Sequence, residues 1–386
     1  MSYIHKKLQQ KRKRKKSKNS EQKNEKEQKD DRNVDLVLNE MLGKREVREK
    51  KIETYSRMKC SSCKTMDSFG EAFRVKGRRF ASFSWIENDK ICVFGGESDL
   101  FAGNVRNDLH TYNINTKIWV LESSFPGKGR TKHSMICRDM LNIEEWQKHF
   151  DFPVLGKELV VYGGEKAFTE STNEVLAYNF DLRKWRVVPC RGSSQSERSS
   201  SPAPVHSHTA LYVKHKNAMV VFGGENPGSL TNNHVFFLEF NSNDQFEWKV
   251  TKSKNDPPIM GRSQHTALLY NNDKSMIVFG GFSNNPKKKT CYLNDTWMYD
   301  IERNSWDMIE VTGDIPSPRF GHSATLWKHY MYIFGGGVPF MPGLFRLNLQ
   351  NNVWEEITII NKPPSPRYGH IMFSRPKKRP FIEKII

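Results

Sequence analysis

The chain has 386 residues, a formal net charge of +18 and a pI near 9.5. No stretch approaches the roughly 18 consecutive apolar residues that a bilayer span needs, and the first 30 residues hold no apolar core ahead of a cleavage site, so neither membrane insertion nor secretion is expected. Six cysteines in so long a chain, with Cys92 and Cys137 inside apolar runs, make no disulfide framework and are expected as reduced thiols of a cytoplasmic or nuclear protein.

The excess charge sits at the front. Residues 1–51 hold 18 Lys/Arg against 9 Asp/Glu, a net of +9. Residues 1–32 are rich in Lys, Gln, Asn and Glu and cannot bury enough apolar surface to offset chain entropy, so a disordered basic tail is expected. Within it Lys11-Arg12-Lys13-Arg14-Lys15-Lys16 has the form of a nuclear localisation signal, which points to an import receptor as one partner and to weak RNA contact as another. From Val34 onward, Val34, Leu38, Met41 and Leu42 fall on one helical face and predict a short amphipathic helix over 33–56. Residues 57–78 are expected as a linker or closing strand. Cys60 and Cys63 there have the spacing of half a zinc site, but no second pair lies nearby, so no metal is expected.

Beyond this point the chain repeats itself with a period of 55–68 residues. A four-residue apolar run precedes a glycine pair five times, at Gly95-Gly96, Gly163-Gly164, Gly223-Gly224, Gly280-Gly281 and Gly335-Gly336, and each run suits a buried strand. A tryptophan follows each pair: Trp119, Trp185, Trp248, Trp306 and Trp354. Polar turns such as Glu302-Arg303-Asn304-Ser305 separate two further strands, and an Arg-x-x-His element precedes the apolar run at Arg130, Arg262, Arg319 and Arg367. Each unit therefore reads as four strands. Such a sheet cannot bury both faces alone, so copies must pack around an axis.

This order of Arg-x-x-His, apolar strand, Gly-Gly, Asn-Asp, Tyr and Trp resembles the kelch repeat family over residues 79–374. A basic tail followed by a Leu-bearing helix is also similar to the layout of one kelch subgroup. The resemblance implies an all-β, six-bladed kelch-type β-propeller whose last blade is incomplete or closed by an N-terminal strand from residues 52–78, with 375–386, including Lys377-Lys378-Arg379, as a basic C-terminal tail. Glycine pairs and tryptophans, with Tyr112, Tyr178 and Tyr299, are expected to be structural. Arg130, Arg262, Arg319 and Arg367 are expected in loops at one rim, where guanidinium forks suit carboxylates of a partner. The units depart from the pattern: Ser82 stands where His is expected, the third unit lacks its Arg before His208, and the second carries an insertion from Asp139 to Gly156. His206 and His208 are expected to be satisfied structural histidines.

Function is read as a scaffold or adaptor that binds an intracellular protein through propeller loops. A substrate receptor of a ubiquitin ligase, an RNA-associated factor acting through the tail, and a propeller enzyme are the alternatives. No nucleophile, base and orienter stand at recognisable spacing, so neither catalytic residues nor a cofactor is expected.

Overall fold

The computed structural model describes residues 75–385 except 76, 88, 99–103, 141–155, 167–169, 193–201, 242–244, 252–257, 286–287, 338–340, 360–362 and 375–381. The basic tail with Lys11–Lys16, the helix over 33–56, Cys60, Cys63 and Lys377–Arg379 lie outside the described residues. Of the closing strand sought in 52–78, residues 52–74 and 76 also lie outside, and the described residues 75, 77 and 78 form no strand.

The sequence units fold as successive antiparallel sheets. Blade 1 holds β1 (Ser82–Glu87), β2 (Lys90–Phe94), β3 (Asp108–Asn113) and β4 (Ile118–Ser124). Blade 2 holds β5 (Ser134–Asp139), β6 (Lys157–Tyr162), β7 (Val175–Asn179) and β8 (Lys184–Val188). Next come β9 (Cys190–Gly192) and blade 3, with β10 (Thr209–Val213), β11 (Ala218–Phe222), a small hairpin of β12 (Glu225–Asn226) and β13 (Leu230–Thr231), then β14 (Val235–Phe240) and β15 (Phe246–Val250). Blade 4 holds β16 (Thr266–Tyr270), β17 (Ser275–Asn285), β18 (Lys288–Asp300) and β19 (Ser305–Met308). After β20 (Thr312–Gly313), blade 5 holds β21 (Ser323–Trp327), β22 (Tyr330–Phe334), β23 (Leu344–Asn348) and β24 (Val353–Ile357). β9 and β20 add parallel to the outer strands β15 and β24, covering two edges that would otherwise offer unpaired amides. A sixth sheet has two strands, β25 (Met372–Ser374) and β26 (Ile382–Ile385). The C-terminal segment expected as a basic tail thus carries a strand that pairs with β25.

The glycine pairs explain how one sheet grips the next. Gly163 and Gly164 sit at φ +65° and +90°, which an L side chain rarely adopts. A Cβ on Gly163 would stand 2.6 Å from Val205 O and 2.8 Å from His208 Cε1, both on the following blade. The space is needed because Gly164 N donates to Val205 O (2.8 Å), and all five pairs make the matching inter-blade bond. Aromatic packing repeats the same step. Trp185 lies 4.9 Å from Phe94, Trp248 4.7 Å from Tyr162, Trp306 4.7 Å from Phe222 and Trp354 5.0 Å from Phe279, each meeting the last residue of the preceding blade's apolar run.

Six backbone bonds close the circle and establish six blades. Phe80, Lys132, Ser207, Gln264, Gly321 and Gly369, one before each inner strand, each donate an amide to the carbonyl of the preceding one, and Phe80 N donates to Gly369 O at 2.7 Å. All six hold left-handed φ between 50° and 64°. For the four that are not glycine this costs about 1–2 kcal/mol each, offset by an axial bond that no other conformation makes. Closure is thus non-covalent: Phe373 packs against Phe83 (5.9 Å) and edge-on against Trp85 (5.5 Å), and Ile371 joins the same buried cluster. Phe373 is 1 % exposed, and Phe373→Ala is expected to cost about 3–5 kcal/mol in urea unfolding. A loss near zero would mean that the seam does not hold the ring.

Candidate functional site

Residues just before each inner strand and just after each glycine pair meet at one end of the axis, the upper face. The rim arginines expected there are corrected by the structure. Arg130 and Arg262 are fully buried and Arg319 is 2 % exposed, each turned back into its own blade. Arg262 donates to both oxygens of Asp295 (2.8 and 2.9 Å) and to Gly280 O (3.0 Å). Arg130 likewise donates to Glu174 Oε2 (2.5 Å) and Gly163 O (3.2 Å). Among the described residues no carboxylate bonds Arg319; it donates to Gly335 O and Ser317 O (both 3.1 Å) and lies over the Phe345 ring, and burial pushes its pKa down to about 10. Arg367 is half-buried and donates to Ser365 O (3.0 Å) and Oγ (2.8 Å).

The departures in the first and third units have physical explanations. Arg78, not Arg79, makes the bidentate pair with Asp108 (2.7 and 3.0 Å) and reaches Gly95 O. The first unit is therefore registered one residue earlier than the sequence suggests: Ala81 stands at the histidine position, and Ser82 matches Ser134. In the third unit Val205 replaces the arginine and His234 replaces the acid, so base and acid disappear together and neither is buried alone.

The histidines clamp neighbouring blades. His208 Nε2 lies 2.7 Å from Ser134 Oγ, His265 2.9 Å from Thr209 Oγ1, His322 2.9 Å from Thr266 Oγ1 and His370 2.6 Å from Ser323 Oγ. A serine beside an imidazole invites comparison with a nucleophile and its base. Here, among the described residues, Nδ1 of each imidazole has no hydrogen-bond partner to orient it, and burial pushes His208, His322 and His370 down to about 3. Between them runs an axial cavity of about 150 Å³, walled by these rings and by the six axial residues. Gln264 Oε1 is buried there, with no hydrogen-bond partner among the described residues. His206, one position further out, is pushed down by burial to about 4 and sits 3.1 Å from Glu165 Oε1.

Around the cavity mouth the upper face divides into two arcs. In blades 1–3 the residue after the glycine pair is Glu97, Glu165 or Glu225, with 7, 6 and 9 % exposure. Arg79 Nε meets Glu97 Oε1 at 2.6 Å, and Lys132 Nζ meets Glu165 Oε2 at 2.9 Å. Among the described residues, the Glu225 carboxylate accepts a hydrogen bond from the Ser263 hydroxyl alone (2.5 Å). In blades 4–6 aromatics take over. Phe282 and Phe320 lie together with Tyr292, which is 51 % exposed and stacks on Phe320 at 5.1 Å with the planes 20° apart. Further round, Arg79 spans the rings of Phe80 and Tyr368 and donates to the Tyr368 hydroxyl. Two hairpins raise one wall of this face: β17–β18, the longest among the described residues, and β12–β13, joined by Thr231 Oγ1 to Asn284 O (3.0 Å) and Asn284 Nδ2 to Ser229 O (2.8 Å).

Among the described residues, no group of three or more His, Cys, Asp or Glu could hold a metal, and no helix is long and apolar enough to cross a membrane. Cys92, Cys137, Cys190 and Cys291 are free thiols, and burial pushes Cys137 and Cys190 up to about 12.

The family model described as the KLHDC2/KLHL20/DRC7 Kelch-repeats domain matches residues 150–381. The chain belongs to the kelch-repeat family. Host cell factor 2 of Homo sapiens is 27 % identical over 268 residues, covering 64 % of this kelch chain and 29 % of that protein. Host cell factor of Drosophila melanogaster is 26 % identical over 266 residues, 64 % of this chain and 16 % of the relative. The dynein alpha chain of the flagellar outer arm of Chlamydomonas reinhardtii is 31 % identical over 155 residues, 39 % of this chain and 3 % of its own length. The kelch chain therefore spans less than a third of these relatives. Two features of its ring escaped the sequence reading: the acids that hold the arginines, and the Gly-Gly-Glu triplets of blades 1–3, which stand openly at Glu97, Glu165 and Glu225.

Proposed function

We propose that this chain is a scaffold or adaptor that binds an intracellular protein through the upper face of the propeller. The observation that carries this reading is Tyr292, half exposed on a stacked aromatic shelf and held on a long hairpin braced by its neighbour. The three rings of the shelf make a contiguous apolar patch, the kind of surface that marks a contact site, and rigid blades below the loops lower the ordering cost of binding. The buried histidines and arginines support the same reading from the other side, because the fold consumes them and leaves the rim to recognition. The basic run Lys11–Lys16 adds contact with an import receptor.

The test is affinity capture from cell extract with the full chain and two surface variants. Tyr292→Ala with Leu230→Ala strips two exposed apolar groups from the upper face. Arg303→Ala with Lys214→Ala alters exposed positions on the opposite end, where the 81 % and 75 % exposed side chains make it a matched control. A stoichiometric partner lost only with the first variant is expected. A partner that survives it, or none at all, would remove the upper face from consideration.

A further inference from the structure

We infer that the upper face holds an arginine side chain of the bound partner, its guanidinium stacked on the Tyr292–Phe320 shelf and paired with Glu225. This rests on the protein-binding reading above and names the chemistry of its contact.

The argument begins with three glutamates in equivalent places. Each follows a glycine pair, each is more than nine-tenths buried, and the first two have a base of this chain, Arg79 for Glu97 and Lys132 for Glu165. At the third, the positions equivalent to Arg79 and Lys132 hold His206 and Ser207. His206 directs Nε2 to Glu165 instead (3.1 Å); it also feels the charge of Glu225, its bridge partner, but burial keeps its imidazole neutral. Glu225 is left with one hydroxyl bond from Ser263, and among the described residues no cation pairs with it. A largely buried carboxylate lacking a counter-charge is costly and is stabilised by any cation that can reach it.

What lies beside it selects the cation. Ser263, the donor to Glu225, is bridged through its backbone to Phe282, and Phe282 packs with Tyr292 and Phe320. The carboxylate and the aromatic shelf are thus linked through Ser263 and Phe282. A guanidinium is planar, always charged, weakly hydrated and able to stack on a ring while its edge donates to a carboxylate; an ammonium does the second but not the first as well. Arginine therefore fits both halves of the site.

The probe is an array of nine-residue peptides with a fixed central arginine and randomised flanks, read with the full chain against the same array carrying citrulline, which keeps the shape and loses the charge. Binding to the best arginine peptides is expected to fall about tenfold with citrulline. Glu225→Gln should abolish that difference. Tyr292→Ala should weaken arginine binding about fivefold, and Tyr292→Phe should retain it, since the stack and not the hydroxyl is used. Because Tyr292 is half exposed, its variants test the idea even if the buried Glu225→Gln change unfolds the blade. Equal binding of arginine and citrulline, no signal from the arginine array, or a preference that survives Tyr292→Ala would overturn the inference. A captured partner that maps to the upper face yet ignores Glu225→Gln would sink this contact alone, whereas arginine selectivity without any upper-face partner would sink the scaffold reading alone.

Discussion

Acidification is expected to unfold the ring in one steep step below about pH 6. Burial holds His133, His208 and His322 at about 3 in the fold, against an ordinary histidine value near 6.5. Between those values the unfolded chain binds protons that the folded chain refuses, so stability that is intact above about pH 6.5 is lost as the pH falls toward 3. At pH 5 each of these histidines costs about 2 kcal/mol. His265 is displaced in the same direction, and the sum approaches the 5–15 kcal/mol, roughly, that separates folded from unfolded domains. Asp108 and Asp295 add nothing at pH 5, because their folded values are depressed and their contribution is lost only below about pH 4. Tryptophan fluorescence against pH, with urea midpoints at pH 7.5, 6 and 5, reads the effect. His322→Gln keeps a hydrogen-bonding group for Thr266 and removes one titrating group, so its pH dependence should be shallower by about one proton. An unchanged urea midpoint at pH 5 would show that the clamps are not held neutral.

How much of this was legible in the letters depends on whether a contact leaves a periodic mark. Gly163 and Gly164 could be read because every blade junction needs the same two positive φ values and therefore the same two residues. The register of the first unit could not be read, since Arg78 and Arg79 are adjacent and permit two alignments one residue apart. The choice appears only when Phe80 takes its place in the axial ring of left-handed residues. Arg262 looks the same in sequence whether it faces solvent or is buried, and its fate is decided by Asp295, 33 residues away. Stacking of Tyr292 on Phe320 leaves no trace at all, because the two belong to different blades and the residue at the Phe320 position varies from one unit to the next. By contrast, the change from Gly-Gly-Glu in blades 1–3 to Gly281-Phe282 in blade 4 is plain in the sequence. It announces that the upper face is not symmetric.

Blade 3 supplies the second strong test, because it already lacks the ion pair that blade 4 contains. Burial raises the Asp295 carboxyl, but the Arg262 fork and its charge outweigh this and hold it below the usual carboxylate range. Asp295→Asn leaves the fully buried Arg262 without its counter-charge and is expected to cost about 3–5 kcal/mol. Arg262→Val alone should cost nearly as much, since it strips the guanidinium fork from Asp295 and leaves the carbonyl of Gly280 without its donor. The double change Arg262→Val with Asp295→His rebuilds the Val205 and His234 arrangement of blade 3 and offers a ring nitrogen to Trp297 Nε1, which donates to Asp295 Oδ2 at 2.6 Å. It should recover most of the loss and end about 1 kcal/mol below the parent, the deficit being the orphaned Gly280 carbonyl. Urea midpoints for the four proteins give the coupling energy directly. A double variant as unstable as the sum of its singles would mean that arginine and acid contribute independently, and the paired loss in blade 3 would then need another cause.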